Sequence, residues 1–304
     1  MAASTCFRKV TLHVLPSFFI VGPPRTGTSW LHEVLKKHVT LPTLTKETRF
    51  FDLHFHRGVW WYRAQFFGLG SSPIGEIAPT YFASHEARRR IKKLCPWAKI
   101  VCIFRNPVDR IVSLYRLKRG YAMVPWELDE ALVCDRELVE SSLYATYLRE
   151  WFKDFGPDRV RPMFYDDLCD RPQFFVDQLA DFLRIPRLTL TLSDLQVVHT
   201  SETLTYPRNY SCVRMAVSVS DWLKVRGLGK LVSVVKRSPI GGLVLGGGPA
   251  FPKASANLSE AIVSLFRQEI EALEVMVNRD LSAWKQVEGN ATPISRANAQ
   301  VGCN

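Results

Sequence analysis

Short apolar runs alternate with segments of helical periodicity along the first 185 residues. The run Phe18-Phe19-Ile20-Val21 ends at Gly22 and predicts a buried parallel strand, and residues 29–38 then place their apolar side chains on one side of a helix. The same patterns predict strands at 74–78, 99–104 and 160–165, helices at 59–67, 85–94, 108–119, 139–155 and 172–184, and a short strand or extended loop at 44–53. This alternation indicates a three-layer α/β fold with a mainly parallel sheet flanked by helices.

The C-terminal third follows a different pattern. Residues 205–240 contain seven basic side chains and one acidic side chain, and the Gly- and Pro-rich stretch 239–252 is typical of a loop. Asn257 is expected to cap a final helix whose apolar face carries Leu258, Ile262, Leu265, Ile270, Leu273 and Val277. We expect one domain over residues 1–285 and a flexible tail over 286–304.

Composition narrows the class of protein. The 304 residues carry a net charge of +11, which favours anionic partners such as nucleic acid, phosphorylated cofactors, acidic glycans or membrane surfaces. The seven cysteines are odd in number and lack C-x-x-C spacing, so we expect reduced thiols, no zinc site and an intracellular chain. No run reaches the roughly 18 apolar residues of a membrane helix. His13 and Pro16 interrupt the first apolar stretch, so we expect a cytoplasmic protein without a signal peptide.

A glycine-containing loop joins the first strand to the first helix. It reads Gly22-Pro23-Pro24-Arg25-Thr26-Gly27-Thr28-Ser29, and backbone N–H groups at such a turn bind phosphate oxygens. Gly22 and Gly27 have the Walker A spacing, but Thr28 stands where that motif has lysine. The loop therefore indicates a phosphate site that differs from the usual Mg²⁺–ATP site.

A second pair of polar residues follows the predicted strand at 99–104. Arg105 ends that strand, and Ser113 lies eight residues later on the next helix. Both are expected at the carboxyl end of the sheet, where open α/β sheets bind ligands, and an arginine with a hydroxyl suits a second phosphate.

Together these motifs resemble those of the PAPS-dependent sulfotransferase superfamily, where PAPS is 3′-phosphoadenosine 5′-phosphosulfate, and particularly its heparan-sulfate-type and bacterial branches. Residues 23–31 are similar to the family's 5′-phosphosulfate loop, and 103–115 to its 3′-phosphate motif. Between them, Lys46-Glu47-Thr48-Arg49-Phe50-Phe51-Asp52 is similar to the catalytic K/N-E-x-x-F-F-D segment, and 76–82 to the E-K-x-P-x-Y-F segment. The four motifs occur in family order across roughly residues 17–185.

The resemblance implies a P-loop-like fold, a PAPS donor and a sulfuryl transfer that needs no metal. It implies that Arg25, Thr26, Gly27, Thr28 and Ser29 hold the 5′-phosphosulfate. It also assigns the 3′-phosphate to Arg105 and Ser113, and general-base catalysis to Glu47, while Arg25 opposes the charge of the leaving group. The acceptor would be a hydroxyl or amine of a carbohydrate, glycolipid or other small metabolite, with no nucleic acid as partner.

The chain departs from the family at two motif positions. Arg25 replaces the lysine of many members and is a poor proton donor, and Ile77 replaces a lysine that contacts substrate in the heparan enzymes. The family's basic C-terminal cofactor loop has no clear match, and Arg208, Arg226 and Lys230 are the candidates for its role.

Several side chains near Glu47 have two interpretations. His54 and His56 either assist the base or are ordinary polar residues beside the acceptor cleft. The aromatic side chains of the next helix either stack on an acceptor or pack in the core, namely Trp60, Trp61, Tyr62, Phe66 and Phe67.

Two other functions fit parts of the sequence. A P-loop kinase or related nucleotide phosphotransferase would share the fold and the loop. A non-enzymatic binder of acidic polymers would use the basic segments 85–93 and 205–240.

Overall fold

The computed structural model describes residues 15–66, 73–196, 205–207, 210–225, 247–250 and 255–286. Its main sheet has four parallel strands in the order β2-β1-β3-β4, which confirms the expected mainly parallel sheet. The strands are β1 (Phe18–Ile20), β2 (Gly75–Ile77), β3 (Lys99–Phe104) and β4 (Val160–Phe164). Two further strands, β5 (Thr205–Pro207) and β6 (Gly247–Ala250), form a separate antiparallel pair.

Helices connect the strands and cover both faces of the sheet. Within the described residues they are α1 (Thr28–Leu35), α2 (Gly58–Arg63), α3 (His85–Leu94), α4 (Pro107–Gly120), α5 (Leu128–Cys134), α6 (Arg136–Glu140), α7 (Tyr144–Phe155), α8 (Tyr165–Asp170), α9 (Pro172–Leu183), α10 (Leu192–Gln196), α11 (Tyr210–Val225) and α12 (Ala256–Val277). No described helix has the length and apolar character that crossing a bilayer requires.

Two buried clusters lie on opposite faces of the sheet. Because side chains alternate along a strand, Phe19 contributes to one cluster while its neighbours Phe18 and Ile20 contribute to the other. The first cluster packs β1 and β3 against α3, α7 and α12, and the second packs them against α1 and α9. The result is the three-layer arrangement that the alternating pattern predicts.

The structure corrects the sequence-based boundaries in the first part of the chain. Residues Phe50–His54, expected to be extended, form a helical turn that packs against α3. The helix expected at 139–155 is two helices, α6 and α7, separated at Ser141–Leu143.

The C-terminal part also differs from expectation. Ser255, not Asn257, caps α12, because its side chain accepts a hydrogen bond from the Leu258 N–H. Leu265 is 59% exposed, and Phe266 is buried in its place. The described residues 247–250 of the expected loop form β6.

Candidate functional site

The loops after β1 and β3 lie side by side because these two strands are hydrogen-bonded neighbours. The carboxyl ends of both parallel strands therefore reach the same edge of the sheet. Arg25 and Ser113, 88 residues apart in sequence, meet there, and the Arg25 Nε donates to the Ser113 Oγ at 2.9 Å. The fold thus joins the two motifs into one candidate site.

The loop after β1 leaves the N-terminus of α1 open to an anion. Arg25 and Gly27 both have positive φ angles, 76° and 85°, so the backbone turns sharply before α1 begins at Thr28. No side chain caps this end of α1, and no acidic residue lies in its first turn. The Thr26 hydroxyl donates to the Pro23 carbonyl at 2.8 Å and thereby holds the loop's shape. Free backbone N–H groups at such a helix end attract phosphate oxygens.

Close packing fixes the start of this loop against β3. A Cβ atom added at Gly22 would lie 2.5 Å from the backbone nitrogen of Ile103. Only glycine therefore allows this close approach of the two chain segments, which places the loop beside the end of β3.

Arg105 lies at the end of β3 with unused hydrogen-bonding capacity. Its guanidinium packs 4.5 Å from the centre of the Tyr165 ring and donates to the Arg25 carbonyl at 3.3 Å. The backbone carbonyl of Arg105 accepts a hydrogen bond from the Tyr144 hydroxyl, which fixes its position. The Arg105 Nε is buried and has no hydrogen-bond partner. A buried donor without a partner is costly, so this nitrogen suits an anionic ligand oxygen.

The two arginines form a concentrated positive charge. Burial, followed by the positive charge of Arg105, lowers the pKa of Arg25, although a guanidinium remains charged at all physiological pH values. Neither guanidinium has a carboxylate within ion-pairing distance among the described residues. Two adjacent cations without carboxylate partners fit a doubly charged phosphate group.

The segment around Glu47 contacts the first turn of α1. The Lys46 ammonium donates to the Ser29 Oγ in the first turn of α1 at 2.7 Å. Glu47 is half-buried, and burial raises the pKa of its carboxyl, an effect that the positive charges of Lys46 and Arg49 oppose. A carboxylate with a raised pKa beside a phosphate-binding loop is suited to accept a proton.

A buried carboxylate holds this segment in place. Glu76, in β2, accepts hydrogen bonds from the Thr48 N–H at 3.1 Å and the Thr48 hydroxyl at 2.5 Å. It also accepts from the hydroxyls of Tyr62 at 2.6 Å and Tyr81 at 3.2 Å. Because Thr48 directly follows Glu47, this network fixes the backbone that carries Glu47.

The two histidines lie in the helical turns that follow Glu47. Their rings are 6.2 Å apart, and the His54 ring is 5.7 Å from the ring of Trp61. Burial, followed by the positive charge of Arg57, lowers the pKa of His54. None of the hydrogen bonds or ion pairs among the described residues joins either histidine to the Glu47 carboxylate.

The aromatic residues of α2 divide between the core and the surface. Tyr62 stacks on Phe50 with ring centres 4.4 Å apart, and Phe66 is also buried. Trp60 is 77% exposed and contacts the Arg63 guanidinium, while Trp61 is half-buried under Arg57. Packing is thus the role of Tyr62 and Phe66, and Trp61 packs against the edge of the same cluster. Trp60 is the one of these four side chains that is mostly exposed.

Internal contacts occupy much of the basic helix α3. Arg88 is buried and pairs with Glu150 and Asp154, and Arg90 donates to the Phe51 carbonyl. Arg89 pairs with Glu86. The Lys92 ammonium lies 5.2 Å from the centre of the Phe155 ring. Four of the five Lys and Arg residues of α3 therefore have partners within the protein, which weakens the case for a polymer-binding surface on this helix.

The carboxylates that follow β4 also have hydrogen-bonding partners within the protein. Asp166 accepts from the Trp284 indole at 3.0 Å, and Asp167 is bridged by Arg279. They attach Arg279 and Trp284 to α8, which disfavours their use as a nucleotide-linked magnesium site of a kinase. Within the described segments, no group of three His, Cys, Asp or Glu side chains is placed to hold a metal ion.

Some contacts of the site follow from the tertiary structure and were not expected from the sequence. Tyr165 was not a candidate, although its place directly after β4 is the signal that also identified Arg105 after β3. The Lys46–Ser29 contact had no sequence signal. Several candidate positions lie outside the described residues, namely Phe67, Arg208, Arg226, Lys230 and the tail from 287 onward.

The chain is similar to known proteins over most of its length. The family model described as the sulfotransferase domain matches residues 15–226. A mouse bifunctional heparan sulfate N-deacetylase/N-sulfotransferase 4 is 27% identical over 203 residues, covering 59% of this chain and 23% of the relative. A human heparan sulfate glucosamine 3-O-sulfotransferase 6 is 31% identical over 185 residues, covering 57% of this chain and 53% of the relative. The chain thus matches about a quarter to a half of the length of these curated relatives.

A solved structure shares the fold. The crystal structure of a sulfotransferase from Alicyclobacillus acidocaldarius aligns with a TM-score of 0.63 and 21% identity, covering 90% of this chain and 99% of that one. The family match covers well over half of the chain, and the loops that it includes are those joined by Arg25 and Ser113. The chain therefore belongs to the sulfotransferase domain family.

Proposed function

We propose that the protein transfers a sulfuryl group from PAPS to a hydroxyl or amine of a small-molecule or glycan acceptor. The observation that carries this proposal is the Arg25–Ser113 hydrogen bond, because it joins two motifs that each suit a different phosphate of one ligand. The buried, unpartnered Arg105 Nε and the open N-terminus of α1 support it. The residues present therefore fit a ligand with two separated anionic groups.

The donor site is divided between the two loops. Arg105 and Ser113 would hold the 3′-phosphate, while the backbone N–H groups from Thr26 to Ser29 would hold the 5′-phosphosulfate. When bound, PAPS supplies the sulfuryl group, whose bond to the 5′-phosphate oxygen breaks as the acceptor atom bonds to sulfur. Arg25 and the N-terminus of α1 oppose the negative charge that remains on that oxygen.

Glu47 is the proposed general base. Its carboxylate takes the proton of the acceptor's hydroxyl or amine, and its raised pKa makes it a stronger base than an exposed glutamate. The Glu76 network holds Thr48, the residue after Glu47, and this fixed backbone supports the proposed role. A positioned base of this kind typically contributes about 10²–10⁴-fold to the rate.

A calorimetric titration with 3′-phosphoadenosine 5′-phosphate (PAP) in metal-free buffer tests the donor site. We expect tight binding by the wild type, loss of binding in Arg105→Ala, and no loss in the control Arg89→Ala, which removes an exposed arginine of α3. ATP with Mg²⁺ is the comparison ligand. Absence of PAP binding, or equal binding of ATP only with Mg²⁺, would reject the proposal and favour a kinase-like function.

The general base is tested separately from donor binding. Glu47→Gln should retain the wild-type affinity for PAP and lose about 10²–10⁴-fold in the transfer of radiolabelled sulfuryl from PAPS. The acceptors to be screened are a panel of saccharides, glycolipids and small hydroxylated or amine metabolites. Full activity of Glu47→Gln with any acceptor of the panel would exclude Glu47 as the base.

A further inference from the structure

Lys46 is placed like a ligand-binding residue, although the resemblance of its segment assigns a role to Glu47 alone. Its ammonium crosses from the segment before Glu47 to the first turn of α1, where it donates to the Ser29 hydroxyl at 2.7 Å. Ser29 belongs to the helix end whose backbone N–H groups are open. A flexible side chain thus brings a positive charge to the place where the loop already attracts an anion.

Internal contacts do not account for this charge. Among the described residues no carboxylate forms an ion pair with Lys46, whereas Lys36 pairs with Glu33 and Lys37 with Asp194. Partial burial of the ammonium lowers the pKa of Lys46, and the negative charges of Glu47 and Glu33 oppose that effect. An ammonium has three N–H donors, and Ser29 uses one of them. Two donors therefore remain for a ligand.

Arg25 leaves room for a second cation at this end of the site. Its Nε is committed to Ser113, on the helix that carries the 3′-phosphate motif, and its carbonyl accepts from Arg105. The guanidinium of Arg25 is therefore held toward the β3 side, while Lys46 lies at the N-terminus of α1. Lys46 therefore adds a second positive charge near Arg25, whose own charge contributes, after burial, to the lowered pKa of Lys46.

We propose that Lys46 is a further donor-site residue, which binds the 5′-phosphosulfate from across the cleft through the N-terminus of α1. The inference rests on the proposed function, because it assigns one end of the same donor. It also explains the order of Lys46 and Glu47 in the chain. One segment, fixed by the Glu76 network, carries both the cation for the donor and the base for the acceptor.

Three adenosine ligands allow binding at the two ends of the proposed donor site to be measured independently. PAP carries both phosphates, adenosine 3′-phosphate lacks the 5′ group, and adenosine 5′-phosphosulfate lacks the 3′ group. The weaker ligands are measured by competition against PAP. Lys46→Met should lower the affinity for PAP and for adenosine 5′-phosphosulfate by roughly 10- to 100-fold, as expected for the loss of one charge-assisted hydrogen bond.

The binding of adenosine 3′-phosphate to Lys46→Met should equal that of the wild type. Lys46→Arg should retain most of the affinity for all three ligands, because it keeps the charge. Lys93→Met is the matched control, since it removes an exposed lysine of α3 away from the loop, and it should change nothing. Arg105→Ala, titrated directly with each ligand because it no longer binds PAP, should show the opposite pattern, with the affinity for adenosine 3′-phosphate reduced and that for adenosine 5′-phosphosulfate retained.

The outcomes distinguish this inference from the proposed function. If the wild type binds none of the three ligands, the sulfotransferase proposal fails and the role of Lys46 fails with it. If the wild type binds PAP but Lys46→Met binds every ligand as tightly, Lys46 is not a donor-site residue and the proposed function stands. Equal weakening of all three ligands by Lys46→Met would show a general structural effect and would also overturn the inference.

Discussion

Replacing Glu76 by alanine tests how the active segment is held in position. The carboxylate is fully buried in β2 and accepts two hydrogen bonds from Thr48 and one each from the hydroxyls of Tyr62 and Tyr81. Its loss removes the acceptor of all four donors. We expect the protein to lose stability and the backbone next to Glu47 to lose its fixed position.

The magnitude follows from the donors that cannot find another partner. The hydroxyls of Thr48 and Tyr81 are 3.3 Å apart and can bond to each other. The Thr48 N–H and the Tyr62 hydroxyl remain without an acceptor, and a buried unsatisfied donor costs about 1–3 kcal/mol. Part of this loss of stability is offset, because the variant no longer buries a carboxylate away from water. We therefore expect Glu76→Ala to lower the free energy of unfolding by about 3 kcal/mol.

Urea unfolding provides the assay, with Glu130→Ala on the surface of α5 as the control. Glu76→Ala should lower the midpoint, and Glu130→Ala should stay within about 0.5 kcal/mol of the wild type. Glu76→Gln keeps the side-chain volume and one acceptor oxygen, so it should lower the free energy of unfolding less than Glu76→Ala does. In each stable variant, the affinity for PAP should change less than the rate of sulfuryl transfer, because Arg105 and the loop do not depend on Glu76.

The pH dependence of stability gives a sharper test of the role of Glu76. Burial raises the pKa of Glu76, while the hydrogen bonds from Thr48, Tyr62 and Tyr81 act in the opposite direction and only partly cancel it. A carboxyl with a raised folded-state pKa contributes stability that is present below the unfolded-state pKa and is lost as pH rises through the folded-state value. The advantage of the wild type over Glu76→Gln should therefore grow as pH falls from 7 toward 4.5. An advantage that shrinks on acidification would show that the hydrogen bonds outweigh burial and would refute this reasoning.

Three further predictions concern Glu47, the loop after β1 and Trp284. The raised pKa of Glu47 predicts that kcat/KM falls on acidification at a pH above the ordinary glutamate range, and that Glu47→Gln removes this dependence in a pH–rate profile. Gly22→Ala would place a Cβ 2.5 Å from the backbone of Ile103. Thermal unfolding should then show a free energy of unfolding lower by about 1–3 kcal/mol or more, and calorimetry should show a weaker affinity for PAP. An unchanged affinity would show that the loop tolerates displacement. Trp284→Ala removes a buried indole that is hydrogen-bonded to Asp166, and urea unfolding should show a free energy of unfolding lower by about 3–5 kcal/mol. A decrease below about 1 kcal/mol would mean that residues 282–285 are not part of the folded core.

The sequence predicted the features that depend on local patterns. The buried runs gave β1 and β3 to within one residue, because a strand covered on both faces needs consecutive apolar side chains. The edge strand β4 was also predicted to within one residue, although Arg161 in it is exposed. The helix at 85–94 was predicted with the bounds that α3 has in the structure. Where local signals compete, prediction was less accurate. Asn257 and Ser255 are both good caps, and the structure uses Ser255.

The candidate site was partly predictable for a related reason. Arg25 and Arg105 each follow a predicted strand, and the ends of parallel strands share one edge of a sheet. This rule placed both residues at that edge without showing that they touch. Glu47 was identified through a family resemblance, since one glutamate in an extended segment has no distinctive local pattern.

The sequence by itself thus determined the strand and helix pattern, the open phosphate loop and the residues at the strand ends, because these depend on neighbours within a few positions. The tertiary structure alone decided which of them meet. The pairing of β1 with β3 places Arg25 against Ser113, and the buried carboxylate of Glu76 fixes the segment that brings Lys46 to Ser29. These contacts join residues separated by 17 to 88 positions. They depend on the packing of the whole sheet, which no local pattern encodes.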